Sequence, residues 1–86
     1  MAHWYQEPVT VTLTADGTPA SFTWRGKVYT VKEVLATWHL QDRWWDRRRR
    51  GNRYYYRLEV QQHMIFELFV DVAQRPPAWV LDVVHD

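Results

Sequence analysis

The sequence predicts an all-β fold, a small antiparallel meander that curls into a barrel of six or seven strands. Apolar and polar residues alternate with a period of two along most of the chain, which is the pattern of half-buried strands. Turn residues separate the alternating stretches at short intervals, at Asp16-Gly17, Arg25-Gly26 and Gly51-Asn52. A sheet this small must curl to bury its inner face.

The first half of the chain predicts three strands. In residues 9–14, valine and leucine alternate with threonine. Residues 21–24 resume the alternation and place Phe22 and Trp24 on one side, and residues 27–32 return as the second leg of a hairpin. The intervening glycine suits this hairpin because a tight turn requires a positive φ.

Residues 33–39 are open to two interpretations. Four apolar side chains fall at the spacing of one helical face, namely Val31, Val34, Leu35 and Trp38. This spacing favours a short helical turn near 33–39. The surrounding β-branched residues and the absence of an N-cap residue favour a kinked strand instead.

The second half predicts a long hairpin and two further strands. Alternation directs the apolar residues of the returning leg inward: Tyr54, Tyr56, Leu58 and Val60. Residues 64–72 and 79–84 alternate in the same way, and two prolines in the loop between them prevent continuation of the ladder. The large residues expected in the core are Phe22, Trp24, Trp38, Trp44, Tyr54, Tyr56, Phe66 and Trp79. The chain is therefore predicted to form one β domain over residues 1–86, an SH3-like or similar small β-barrel.

Size and composition restrict the class of protein. The 86 residues contain no cysteine but six Trp, five Tyr and three Phe, so aromatic bulk is expected to replace disulfides or thiolate metal sites as the stabilising feature. Four scattered histidines make a zinc site improbable, and no cofactor is expected. We expect a cytoplasmic protein, since there is no basic and apolar leader and no apolar run long enough to span a membrane.

Charge is strongly segregated although the net charge is only +1. Residues 43–57 contain seven arginines and one acid, Asp46, which is a formal charge of +6. The remaining residues carry four basic and nine acidic side chains, a formal charge of −5. This asymmetry predicts an anionic partner at one end of the molecule.

The basic hairpin is the candidate functional site. Alternation places Arg43, Trp45, Tyr55 and Arg57 on its outward face, with the remaining arginines at its tip. The candidate nucleic-acid-binding residues are Arg43, Trp45, Arg47, Arg48, Arg49, Arg50, Arg53, Tyr55 and Arg57. In this hypothesis the tip arginines contact phosphates, while Trp45 and Tyr55 stack on bases. Alternatively, the tip is merely solvated, and the two rings form a cross-strand pair.

No catalytic motif occurs, so an enzyme is not expected. The leading hypothesis is a non-catalytic nucleic-acid-binding domain, with single strands favoured. The alternative is a protein–protein interaction module or homodimer that docks a polymerase or clamp partner. The second sheet face bears on this choice because it carries Ile65, Phe69, Val80 and Val84. This face is either covered by Trp4, Tyr5 and the N-terminal strand, which we favour, or it is a partner surface.

Several phrases of the sequence resemble a known family. In order along the chain they are residues 22–26 (FTWRG), Trp44-Trp45, residues 53–59 (RYYYRLE), residues 66–69 (FELF) and residues 79–81 (WVL). Over residues 20–85 the chain resembles the small bacterial DUF6504 domains, and it is similar to the C-terminal segment of Y-family-polymerase-like subunits of mutagenesis cassettes. The resemblance implies a role near translesion synthesis or DNA repair. The chain departs from the pattern in its longer arginine run and in the lack of glycine at residues 61–63.

Overall fold

A computed structural model describes residues 2–41 and 52–85, which form one seven-stranded antiparallel sheet. The strands are β1 (Ala2–Pro8), β2 (Thr10–Leu13), β3 (Pro19–Trp24), β4 (Lys27–Gln41), β5 (Asn52–Val60), β6 (Ile65–Asp71) and β7 (Ala78–His85). A 3-10 helical turn at Gln61–His63 joins β5 to β6. The predicted all-β class is confirmed. Within the described ranges, no helix combines the length and apolar character needed to cross a membrane.

The strand order shows why the sheet is a curled half-barrel. The order is β1-β7-β6-β5-β4-β3-β2, so β2 to β7 form the predicted meander and β1 adds to its far end. Strands β1 and β2 therefore lie at opposite edges of the sheet, although only Val9 separates them in the chain. Because one residue spans only about 3.3–3.6 Å of extended chain, the two edges must approach each other there. The Val9 amide also donates to the Trp79 carbonyl oxygen at 3.1 Å.

The core lies inside the curl and is built around aromatic rings. Phe66 is fully buried, and its ring centroid lies 5.2 Å from that of Phe22, 4.9 Å from that of Tyr29 and 6.0 Å from that of Trp24. The buried cluster consists of Phe22, Trp24, Tyr29, Leu58, Val60, Phe66, Leu68, Leu81 and Val84. The predictions for Phe22, Trp24 and Phe66 are thus confirmed. Partly buried Tyr56 and Trp79 pack against the cluster, whereas Tyr54 is 39% exposed and is not a core residue.

Two bulges in β4 settle the structure of residues 33–39 in favour of the kinked strand. The register shifts between Val31 and Glu33 and again between Val34 and Ala36. Each bulge adds one residue, so residues 31, 34 and 37 all oppose inward positions of β5 at a spacing of three. Val31 and Val34 therefore share one face at a spacing that is also typical of a helix, whereas Trp38, which belonged to the same apparent helical face, opposes Tyr55 on the other side.

The second bulge also overturns the assignment of Trp38 to the core. Simple alternation from Val34 would direct Trp38 inward, but the extra residue reverses the parity of the strand beyond it. Trp38 instead opposes Tyr55 on the outer face, where it is half-buried. Trp44, the other tryptophan that was assigned inward on this leg, lies outside the described residues.

The turn between β5 and β6 works without the glycine that the family resemblance leads one to expect. His63 has a φ of 59°, in the left-handed region that favours glycine. The Val60 amide donates to the Met64 carbonyl oxygen at 2.9 Å and closes the turn. A histidine therefore occupies the strained position, and its ring contacts the Glu59 carboxylate at 3.2 Å.

A side-chain clamp holds β1 against β3 across the opening of the half-barrel. Trp24 Nε1 donates to Glu7 Oε1 at 2.9 Å, and Arg25 donates from Nε to Oε1 at 3.0 Å and from a terminal nitrogen to Oε2 at 2.7 Å. The Arg25 guanidinium carbon also lies 5.1 Å from the centroid of Tyr5 and 4.8 Å from that of Trp24. Since β1 and β3 share no backbone ladder, these contacts connect the two ends of the sheet.

The clamp predicts a dependence of stability on acidity. The hydrogen bonds from Arg25 and then from Trp24 lower the pKa of Glu7 below its ordinary value. The stability that ionised Glu7 contributes is therefore present above its unfolded pKa, about 4.3, and is lost as the pH falls through the lower folded pKa. We expect Glu7→Gln to flatten this part of the curve of unfolding free energy against pH, measured by urea denaturation. An unchanged acid limb in Glu7→Gln would contradict the assignment, and Glu33→Gln is the exposed control.

Candidate nucleic-acid interface

Three of the nine predicted site residues lie in the described part of the chain. Arg53, Tyr55 and Arg57 occupy alternate positions of β5 and share its outer face, as predicted for Tyr55 and Arg57, whereas Arg53 was expected at the tip of the hairpin. The others, Arg43, Trp45, Arg47, Arg48, Arg49 and Arg50, lie outside the described residues. The outer face of β5 therefore carries the described part of the candidate site.

Tyr55 is the centre of a stripe of rings rather than an open stacking platform. It is 8% exposed, and its ring centroid lies 5.2 Å from Trp38 in a parallel stack and 5.2 Å from Phe69 in a tilted contact. The three residues are direct cross-strand neighbours on β4, β5 and β6. We call Trp38, Tyr55 and Phe69 the outer ring stripe. The expectation that Tyr55 offers a free ring to bases is wrong, because its neighbours cover both sides of it.

Arg53 and Arg57, the two described arginines of the candidate site, lie over the ends of the outer ring stripe. The Arg53 guanidinium carbon is 4.5 Å from the centroid of Phe69, and that of Arg57 is 5.5 Å from the centroid of Trp38. Such cation–π contacts are worth about 0.5–1 kcal/mol at exposed sites. They restrict the orientation of both guanidinium groups on the outward face. The stripe therefore acts as a support for cations.

The carboxylate of Glu67 on the neighbouring strand β6 partly compensates the positive charge of Arg57. An Arg57 terminal nitrogen lies 3.5 Å from Glu67 Oε2, and the same carboxylate oxygen contacts His85 Nε2. Burial, together with the charge of nearby Glu67, raises the pKa of Asp82, while Gln6 donates a hydrogen bond to its carboxylate. Glu67 therefore offsets part of the charge that Arg57 could offer to a phosphate. Within residues 2–41 and 52–85 no group of three or more acidic or histidine side chains is arranged to hold a metal ion.

The apolar positions of the outer face do not form the patch that the interaction hypothesis requires. Val84 belongs to the core because a register shift between Glu67 and Leu68 changes the facing of β7. Phe69 is buried within the outer ring stripe, and Ile65 and Val80 are half-buried. These positions are thus largely buried within the chain, as favoured, but Trp4 does not cover them, since β1 extends the sheet beside β7 and leaves Trp4 71% exposed.

A groove on the concave face was missed by the sequence analysis. It has a volume of about 460 Å³ and is lined by Leu13, Gly17, Tyr54, Tyr56, Val70, Val72, Pro77 and Trp79. We call it the concave groove. Tyr54 stacks in parallel on His39 with centroids 4.2 Å apart, and Tyr56 lies 5.6 Å from Trp79. A neighbouring hollow of about 390 Å³ shares both tyrosines.

Strand alternation assigned Tyr54, Tyr56 and Trp79 of the groove to the core because it reports only the face on which a side chain lies. Tyr54 does lie on the inner face of β5, opposite Val70. It is only partly covered because it lies near the end of the sheet, two residues after the start of β5. The sequence did contain a signal for this exposure, namely the short distance between an inward residue and the end of its hairpin.

The fold and the two surfaces of β5 define a small all-β domain in which an arginine-bearing outer face and an aromatic groove share one strand. The whole chain, residues 1–86, matches the family described as Domain of unknown function (DUF6504). The chain therefore belongs to the DUF6504 family, and the match includes the N-terminal strand that lay outside the resemblance. No curated protein and no solved structure shows a significant match to the chain.

Proposed function

We propose that this domain binds single-stranded nucleic acid without catalysing a reaction, as an accessory domain in DNA repair or translesion synthesis. One observation carries the proposal: β5 presents Arg53 and Arg57 on a single face, each with its guanidinium over an aromatic ring. Cations oriented in this way can meet phosphates without first losing side-chain freedom. The repair context rests on the resemblance to Y-family-polymerase-like subunits.

The charge distribution supports an anionic partner of this kind. Arg53 and Arg57 belong to the segment 43–57, whose formal charge of +6 contrasts with the acidic remainder of the chain. Phosphate neutralisation by such a segment makes affinity strongly dependent on salt. In this proposal Tyr55 keeps the arginine supports in place, and the arginines provide the contacts. This role replaces the stacking role expected from the sequence.

The test is a fluorescence anisotropy titration with labelled single- and double-stranded oligonucleotides over a series of salt concentrations. We expect tighter binding of the single strand and a linear fall of log Kobs with log salt. Replacing Arg48, Arg49 and Arg50 with serine should reduce the magnitude of that slope by about 2, since each neutralised phosphate on a single strand contributes about 0.7.

The chain offers a control with the same change in charge. Lys27, Lys32 and Arg75 are exposed and lie outside the basic segment, so their replacement with serine alters the net charge equally. We expect this control to retain most of the slope. Absence of binding by the unmodified protein at low salt would refute the proposal, as would equal slopes for the two triple variants.

A second function, docking on a protein partner or on another copy of the chain, is supported by the edge of the sheet. Strand β1 lies at that edge and carries Trp4, the most exposed of the large apolar side chains described. Edge strands offer backbone groups to other chains. Sedimentation equilibrium of the unmodified protein and of Trp4→Lys is the test, and a monomer at all concentrations would exclude self-association.

A further inference from the structure

We infer that the concave groove binds a nucleobase splayed out from a single strand, and this inference rests on the proposed function. The groove residues that carry the argument are Tyr54, Tyr56, Val72 and Trp79. The sugar–phosphate backbone of the bound strand stays outside the groove. The ligand class is therefore an unpaired base within a polynucleotide.

The chemistry of the groove suits a neutral planar ring. Its volume of about 460 Å³ falls within the usual range for ligand sites, about 300–1,000 Å³. Three of its lining residues are aromatic, and none of the eight is charged. A phosphate would lose its hydration there without gaining a counter-charge, whereas a base would bury its faces against rings.

The ring of Tyr54 is held in an orientation in which a ligand ring can stack on it. Tyr54 is 39% exposed, and its ring stacks on that of His39 with centroids 4.2 Å apart and an interplanar angle of 5°. The imidazole of His39 contacts the side chain of Asn52, which restrains the pair. One face of the tyrosine is thus supported from within the protein. A base that enters the groove can extend this stack at little cost in side-chain order.

The position of the groove indicates that the planar ligand ring is part of a polyanion. Val72, at the groove, donates its amide hydrogen to the Asn52 carbonyl oxygen at 2.9 Å. The groove therefore lies at the end of the sheet where β5 begins. Tyr54 and Tyr56 belong to the segment of formal charge +6, and on this strand they alternate with Arg53 and Arg57, whose side chains lie on the opposite face of the sheet. Charge complementarity thus favours a nucleic-acid strand over an apolar protein segment.

This arrangement also accounts for the expected preference for single strands. A base in a duplex is paired and stacked, and its extrusion costs a few kcal/mol. An unpaired base enters without that cost. Because stacking on aromatic side chains is largely insensitive to base identity, the groove should accept all four bases with modest differences.

The experiment compares two labelled strands of equal length with the unmodified protein. One strand carries thymine throughout, and the other carries abasic sites at the central positions with the same number of phosphates. We expect about tenfold weaker binding of the abasic strand with an unchanged salt slope. In a strand that carries 2-aminopurine, we expect binding to quench its fluorescence through stacking.

Variants at Tyr54 test whether the weaker binding of the abasic strand results from the loss of a base in the groove. Tyr54→Leu should weaken binding of the thymine strand about tenfold, leave the abasic strand unaffected, and abolish the 2-aminopurine quenching. Tyr54→Phe should retain the behaviour of the unmodified protein because it keeps the ring. Val28→Ala is the control, since it truncates an exposed apolar side chain outside the groove. Circular dichroism of each variant checks that it folds.

The outcomes separate this inference from the proposed function. If the unmodified protein binds neither strand at low salt, the proposed function fails and the inference fails with it. If it binds both strands equally, the inference is overturned while phosphate binding stands, and the groove is then free for an apolar side chain of a protein partner. The comparison of the thymine and abasic oligonucleotides uses only the unmodified protein. It therefore decides the question even if Tyr54→Leu does not fold.

Discussion

Phe66→Ala is expected to remove about 3–5 kcal/mol of unfolding free energy, the largest effect of any substitution considered for this protein. Phe66 is fully buried and contacts the rings of Phe22, Trp24 and Tyr29, which come from β3 and β4. Phe66 itself belongs to β6, so it joins the two halves of the curled sheet. Alanine would leave a cavity that these rings can fill only by leaving their positions.

Urea denaturation followed by tryptophan fluorescence measures this effect. Small domains have a total stability of about 5–15 kcal/mol, so the variant should unfold at a much lower denaturant concentration or be largely unfolded in buffer. Phe66→Leu keeps most of the volume and should lose clearly less. Val28→Ala, at an exposed position, should stay within about 0.5 kcal/mol of the unmodified protein. A midpoint for Phe66→Ala close to that of Val28→Ala would contradict the described core.

Tyr55→Ala is expected to cost about 3 kcal/mol, although Tyr55 lies on the outer face of the sheet. Its ring is covered by Trp38 on one side and Phe69 on the other, and both contacts would be lost together. Arg53 would also lose its hydrogen bond to the Tyr55 hydroxyl, but this bond is long at 3.5 Å. Tyr55→Phe should therefore remain within about 1 kcal/mol of the unmodified protein.

The same variants decide between a structural and a binding role for this residue. We expect Tyr55→Phe to retain stability and oligonucleotide affinity, because the ring that supports the arginines is preserved. Stability is measured by urea denaturation and affinity by anisotropy at fixed salt. If Tyr55→Leu were as stable as the unmodified protein yet bound a single strand tenfold more weakly, Tyr55 would contact bases directly. That result would restore the stacking role inferred from the sequence.

Local alternation was sufficient to predict most of the strands, but it did not predict β1, whose residues show no clear period, or the positions at which alternation fails. The threonine–valine pattern of β2 and the hairpin at Arg25-Gly26 appear in the structure as expected. In β4 two bulges shift the register, and the second reverses the facing of Trp38. A bulge depends on the partner strand against which it forms, and a single strand sequence does not contain that information.

For the candidate site, too, the sequence predicted which face of the strand a residue lies on but not which neighbours cover it. Period-two alternation correctly placed Tyr55 and Arg57 on one face of β5, and Arg53, which was expected at the hairpin tip, lies on the same face. It did not reveal that Tyr55 has rings on both sides, because Trp38 and Phe69 come from strands whose register is set across the sheet. The proximity of Glu67 to Arg57 has the same origin, since the two residues oppose each other on β5 and β6.

By itself, the sequence determined the all-β class, most of the strand succession after β1, most of the core and the concentration of charge in residues 43–57. These properties follow from residue type and from periods of two, which are local. The tertiary structure alone decided which rings are covered and where the concave groove lies. Both depend on the curl that brings β1 close to β3 through Glu7 and Trp24, and on which inward residues lie near an open end of the sheet. Coverage is a property of several strands together, so no single stretch of the chain encodes it.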